Sequence, residues 1–171
     1  SHRFFNICAL RQNIINLSET LPGVAWDLLP MNKYLSHNWH SLGDFDSRGN
    51  YASISTSLGC PFSCDFCSIH KIYGEKKSRA WNSKWVLDQI DTLVERYNVK
   101  NLKIIDELFL LNPKHYNPIL DGLIERKYDL NIWANARIDT TKEKSLDRLK
   151  SAGFNWLVLS AESGDEEIRA R

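Results

Sequence analysis

From Tyr51 onward, hydrophobic positions recur with a period that switches between two and 3.6 residues. Tyr51–Leu58 alternates and predicts a strand. Residues 82–97 place Val86, Ile90, Leu93, Val94 and Tyr97 on one helical face, with Asn82 or Ser83 as N-cap. Leu102–Asp106 predicts a second strand. Tyr116, Ile119, Leu120, Leu123 and Ile124 then recur at helical spacing. This helix has two candidate starts, because Asn112-Pro113 and Asn117-Pro118 both suit an N-cap followed by the first helical position. A start at Pro113 predicts a kink at Pro118. Asn131–Ala136 predicts a third strand. Thr140-Thr-Lys-Glu143 has the form of a capping box, opening a helix that stops at Gly153. Phe154–Ser160 is almost continuously apolar, as in a strand buried on both faces. Asp165–Arg171 begins a fourth helix.

Strands alternating with helices across short links give an α/β fold, a parallel sheet with right-handed crossovers. There are about four β–α units, with the last cut short. Residues 1–50 lack this rhythm and read as a lead-in or linker segment; residues 51–171 form the periodic body. Within the lead-in, Phe4–Leu10 suggests a short strand and Met31–Leu35 a helical turn. Trp26 and Trp39 are expected to pack the segment onto the body.

A chain of 171 residues can bury a real core. Its 22 basic and 21 acidic side chains leave a net charge of +1, so nothing draws it to nucleic acid or to an anionic membrane. No apolar run is long enough for a transmembrane helix, and Ser1 does not open a signal peptide.

Candidate chemistry sits in the loop after the first strand. Cys60, Cys64 and Cys67 lie in Gly59-Cys-Pro-Phe-Ser-Cys-Asp-Phe-Cys-Ser68, a Cys-x3-Cys-x2-Cys spacing. Thiolates at this spacing can hold three irons of a four-iron cluster and leave the fourth open to a reactant. Gly59 and Pro61 suit a loop that must wrap one corner of a cube. Zinc is the alternative: His70 follows Cys67 by three positions, so Cys60, Cys64, Cys67 and His70 could make a Cys3His interaction module without redox chemistry. No second knuckle accompanies it. Four cysteines in 171 residues are too sparse for a disulfide framework. Clustered thiols without such a framework point to a reducing compartment, the cytoplasm. Cys8, in an apolar setting, is assigned no role.

The cysteine run, with Phe66 before its last thiol, resembles the signature of the radical S-adenosylmethionine (radical SAM) enzymes. The resemblance implies a partial (β/α) barrel, truncated here before its last strands. It implies a [4Fe–4S] cluster on Cys60, Cys64 and Cys67. In that family the unique iron is chelated by the amino and carboxylate groups of S-adenosylmethionine, whose reductive cleavage yields a 5′-deoxyadenosyl radical that abstracts hydrogen from a small-molecule substrate. A reductant such as flavodoxin or ferredoxin is implied with it.

Sites in such barrels lie at the carboxyl ends of strands. Asp106 and Glu107 end the second strand; the resemblance makes them contacts for the amino group of S-adenosylmethionine. Asp106-Glu-Leu-Phe109 is similar to the Asp-Asp-x-Phe of the cobalamin-binding branch. Arg137 ends the third strand and could grip a carboxylate or pair with Asp139 or Glu162. Glu162 and Ser163, in Ser160-Ala-Glu-Ser-Gly164, match positions that reach toward the nucleoside, though Gly164 followed by Asp165 could simply cap the next helix. His115 is expected to be exposed. Leu21–Met31 and Tyr34–Trp39 are similar to the linker that enters the barrel in that branch, which includes the anaerobic magnesium-protoporphyrin ester cyclase. The branch implies cobalamin in a full-length protein, and methylation or a radical cyclisation or rearrangement. A sheet cut short leaves an open edge, so the isolated chain is expected to be poorly soluble or oligomeric.

Overall fold

The computed structural model describes residues 16–21, 23–37 and 49–169. In chain order the elements are α1 (Leu17–Thr20), β1 (Asn50–Ile54), β2 (Ser57–Leu58), α2 (Ile69–Tyr73), β3 (Arg79–Ala80), α3 (Ser83–Tyr97), β4 (Val99–Ile104), α4 (Pro113–Arg126), β5 (Asn131–Ala136), α5 (Leu146–Ser151), β6 (Phe154–Leu159) and α6 (Glu166–Arg169). Short 3-10 turns lie at Trp26–Leu28, Met31–Lys33, Phe109–Leu111 and Glu143–Ser145. The main sheet has four parallel strands in the order β1-β4-β5-β6.

One face of this sheet is sealed by helices. Ile54, Ile104 and Ile132 point into a core shared with Val86, Ile90 and Leu93 of α3 and Ile119 and Leu120 of α4. Each such side chain contributes about 1.5–3 kcal/mol by leaving water. A Cβ on Gly122 would collide with Leu87, so glycine is what lets α3 and α4 approach. The alternate strand positions form the other face. Ser53, Lys103 and Trp133 stand in register across it, half-buried, with the Lys103 ammonium 4.0 Å from the centre of the Trp133 ring.

The lead-in is held to the body at two places. Trp26 is buried and its indole N–H donates to Gln89 Oε1 at 3.1 Å, which bears out its expected packing role. Tyr34–Ser36 runs beside β1: Tyr51 N donates to Tyr34 O at 2.9 Å and Ser36 N to Gly49 O at 3.1 Å. The outer edge of β1 is thereby covered at its start, around Asn50 and Tyr51. Met31–Lys33 makes the expected helical turn. The expected strand at Phe4–Leu10, Cys8 and Trp39 lie outside the described residues.

Several expectations are corrected. The alternating run from Tyr51 is not one strand. It breaks at Ser55-Thr56, and β2 leaves the main sheet to pair antiparallel with β3. The α4 helix starts at Pro113, with the Asn112 side chain capping Lys114 N, and continues through Pro118 on its exposed side. Thr140 and Thr141 make no capping box. Both hydroxyls donate to Arg137 O, and Glu143–Ser145 opens without a side-chain cap. The β6 strand is not buried on both faces. It has a described neighbour on one side only, and Val158 and Leu159 are exposed.

The break between β1 and β2 has an identifiable cause. Asp106, just beyond β4, is fully buried. Its carboxylate accepts from Thr56 N at 2.6 Å, Thr56 Oγ1 at 2.6 Å and Ser57 Oγ at 2.7 Å. Thr56 N therefore bonds to a side chain instead of the ladder, and the chain turns out of the sheet. His115 of α4 completes the knot, with Nε2 2.9 Å from Thr56 Oγ1. The Thr56 hydroxyl proton is committed to Asp106, so Nε2 carries the donated hydrogen and Nδ1 is the acceptor. His115 is half-buried, which corrects its expected exposure. Burial lowers its pKa, and the Asp106 carboxylate offsets part of this.

Asp106→Ala would leave three donors without their acceptor and cost about 3 kcal/mol, the scale of orphaned buried polar groups. The thermal midpoint should fall by roughly 10 °C for a chain of this size, and a change within error would remove Asp106 from this role. His115 is held neutral in the fold while its unfolded counterpart protonates near 6.5. Its contribution is complete above that pH and is lost as pH falls from there toward the lower folded value. Thermal midpoints measured from pH 7.5 down to 5.5 should decline more steeply for the native chain than for His115→Gln; parallel curves would refute the assignment.

Candidate functional site

The three cysteines stand on an excursion that leaves the sheet at β2 and returns at β3. The two-residue ladder pairs Ser57 with Ala80 and Leu58 with Arg79, and Trp81 N donates to Thr56 O at 3.0 Å. The base of the loop is therefore clamped, while its tip stands at the carboxyl ends of the parallel strands. Gly59 starts the loop with φ 84, and a Cβ there would strike the Lys77 carbonyl, so glycine is required by conformation and by space.

Inside the loop, Cys67 N donates to Cys64 O at 3.0 Å, which curls the last two cysteines into one turn. The next turn is α2, closed by Gly74 with φ 78. His70, on α2, has Nε2 3.0 Å from Cys60 O. A carbonyl can only accept, so this nitrogen carries a hydrogen and is spent on the backbone. Lys76 Nζ donates to Ser63 Oγ at 2.8 Å and ties the returning arm to the tip.

Cys60, Cys64 and Cys67 are free thiols, the first two half-buried and the third exposed. Burial pushes the Cys60 thiol pKa up, an N–H from Phe62 opposes this, and the nearby sulfurs of Cys64 and Cys67 and the Glu107 carboxylate raise it further. A thiol held up in this way is helped to become a thiolate by added positive charge. Iron supplies such charge, and soft sulfur donors on one wrapped loop fit a cluster corner. Among the described residues, no three His, Cys, Asp or Glu side chains gather tightly enough for a single metal ion. With His70 Nε2 turned onto Cys60 O, only its Nδ1 is left as an acceptor.

The strand-end residues divide into those that reach this loop and those that do not. Glu107 Oε2 accepts from Gly59 N at 3.1 Å, directly before the first cysteine, and also takes a hydrogen bond from the Tyr73 hydroxyl. Burial first, and then Glu107, raise the Tyr73 pKa. Asp106, which the resemblance made a contact for the ligand amino group, is fully buried, and its carboxylate accepts from Thr56 and Ser57. Arg137 is paired with Asp139 through Nε at 2.9 Å and Nη2 at 2.7 Å, and its Nη1 lies 3.6 Å from Cys64 Sγ. This pairing holds the Asp139 carboxyl below its usual range. Glu162 is exposed beyond β6 with φ 59, a left-handed backbone unusual for a side chain of its size. Ser163 Oγ accepts from Asp165 N at 3.0 Å, the capping geometry that precedes α6.

Phe62, Tyr73, Thr56 and His115 were not singled out as site residues by sequence reasoning. Three polar residues in succession, Ser55-Thr-Ser57, break the alternation of Tyr51–Leu58 and were the available signal for Thr56. A cavity of about 380 Å3 opens on the flank of the loop, lined in part by Ser57, Pro61, Lys76, Leu108 and His115. None of the three cysteines lines it.

Comparison with known proteins agrees with this arrangement. A family model described as the Radical SAM superfamily matches residues 54–171. An uncharacterized methyltransferase of Pyrococcus horikoshii is 29% identical over 158 residues, 92% of this chain and 32% of that protein. The anaerobic magnesium-protoporphyrin IX monomethyl ester cyclase of Rubrivivax gelatinosus is 30% identical over 140 residues, 81% of this chain and 23% of that protein. The chain thus spans a third or less of the length of these relatives. The cobalamin-dependent S-adenosylmethionine radical enzyme OxsB, solved with aqua-cobalamin and S-adenosylmethionine bound, matches with a TM-score of 0.55 and 26% identity, over 69% of this chain and 19% of that one. The resemblance drawn from the cysteine spacing is borne out, and the four parallel strands correspond to part of the expected barrel. A clamped three-cysteine loop at the carboxyl end of the first strand, a matching fold and a family model covering most of the chain lead to one conclusion: the chain belongs to the radical SAM superfamily.

Proposed function

We propose that this chain is the cluster-binding part of a cobalamin-dependent radical SAM enzyme, with Cys60, Cys64 and Cys67 as the iron ligands. The observation that carries the reading is the loop itself. Three free thiols stand on one excursion, tied at its start to Glu107 after β4 and at its middle to Arg137 after β5. Bound there, a [4Fe–4S] cluster with one open iron supplies the electron that cleaves S-adenosylmethionine to a 5′-deoxyadenosyl radical.

The residues of this chain bind and orient. Glu107 spends one oxygen on Gly59 N, which sets the position of Cys60, and its carboxylate suits the ammonium of S-adenosylmethionine. Glu162 is the second candidate for that ligand: it is exposed at a strand end, and its unusual backbone turns the chain there. Ser163 is assigned to the nucleoside side, with its hydroxyl oxygen already accepting from Asp165 N. The methylase and cyclase names of the relatives and the aqua-cobalamin in OxsB support cobalamin use by the whole protein, and methylation or radical cyclisation of a small molecule. A one-electron donor of the flavodoxin or ferredoxin kind completes the proposal. No helix among the described residues is long and apolar enough to cross a membrane.

Anaerobic reconstitution with iron and sulfide, followed by electron paramagnetic resonance of the reduced sample, tests the reading. A [4Fe–4S] signal is expected, and its shape should change on adding S-adenosylmethionine. Cys60→Ala should lose the signal. Glu107→Gln should keep it while weakening S-adenosylmethionine binding roughly tenfold, about 1.4 kcal/mol. A reconstituted chain that retains zinc and shows no cluster signal would overturn the proposal.

A further inference from the structure

Arg137 reaches the cysteine loop from the end of β5, and its position is fixed on several sides. Its Nε and Nη2 form a fork onto the two oxygens of Asp139. Its guanidinium lies 4.1 Å from the centre of the Phe62 ring, inside the cysteine run. Its backbone carbonyl accepts from the hydroxyls of Thr140 and Thr141 and from Thr141 N. Asp139 fills the side-on edge made by Nε and Nη2. The other terminal nitrogen, Nη1, lies 3.6 Å from Cys64 Sγ and is the donor that faces sulfur.

We propose that Arg137 is a positioning residue that fixes Cys64 and, by donating an N–H to its sulfur, raises the reduction potential of a cluster held by Cys60, Cys64 and Cys67. The inference rests on the cluster reading above. Reduction adds one negative charge, part of which resides on the ligating sulfurs. An oriented N–H on a cation stabilises that state more than the oxidised one. Asp139 neutralises the guanidinium from its Nε and Nη2 edge, so the effect at sulfur comes from donor direction as well as net charge. Lysine at this position would keep the charge and lose both the fork and the planar stack on Phe62.

The test compares the native chain, Arg137→Met and Arg137→Lys, each reconstituted anaerobically with iron and sulfide. Iron content and the midpoint potential, from a redox titration followed by paramagnetic resonance, are the readouts. Arg137→Met should load the same iron, and at a given potential its reduced-to-oxidised ratio should be about tenfold lower. For a one-electron couple that is a midpoint lower by about 59 mV. Arg137→Lys should fall between. Equal midpoints in the native chain and Arg137→Met would overturn the inference. If Arg137→Met fails to load iron, Arg137→Lys decides: a lowered midpoint supports the role, and a native midpoint overturns it. A native chain with no cluster signal would sink the cluster reading and this inference together, whereas equal midpoints with a full signal sink the inference alone.

Discussion

A single carboxylate, that of Asp106, redirects the chain from sheet to loop. A strand that begins in parallel register with β4 would continue past Ile54 if its amides kept finding carbonyls. Instead Thr56 N is captured by Asp106, and the Thr56 and Ser57 hydroxyls follow it onto the same group. The energetic reason is symmetrical. A buried carboxylate needs donors, and a buried amide leaving a ladder needs an acceptor. Each satisfies the other, and the backbone is committed to leave the sheet at that residue. Everything from Gly59 to Ser78 hangs from this point.

The loop that follows is long and only partly buried, so its shape has to be imposed from its surroundings. The β2–β3 ladder closes its base. Glu107, the neighbour of Asp106, holds its first amide, and Arg137 meets its middle. These contacts come from the ends of β4 and β5, adjacent strands whose registers are fixed by a helix-covered core. Packing energy from the buried face is thus converted into positional order at the strand ends, where the side chains are polar and the packing is sparse.

The sequence made the body legible and the connections less so. The α3 and α4 helices and β5 could be read because their apolar residues recur over many positions and point to one core. The cysteine spacing identified the family because thiol ligands are rare and their intervals are constrained. Other features depended on long-range partners. Nothing local to Thr56 reveals that residue 106 will claim its amide. The Thr140–Glu143 run has the letters of a capping box, yet the Arg137 carbonyl was the nearer acceptor for both threonines. The apolar run of β6 was read as doubly buried because hydrophobicity reports what a strand prefers to contact, and not which contacts the sheet supplies. His115 carried no periodic signal, and its burial follows from where α4 crosses the Asp106 knot.

The two margins of the main sheet are unlike. Along β1 the backbone is paired with Tyr34–Ser36 at its start, and along β6 no described strand pairs with the outer side. A margin already paired cannot take a further strand. The lead-in therefore acts as a terminator of sheet growth where β1 begins: strand addition there meets backbone already paired within the chain.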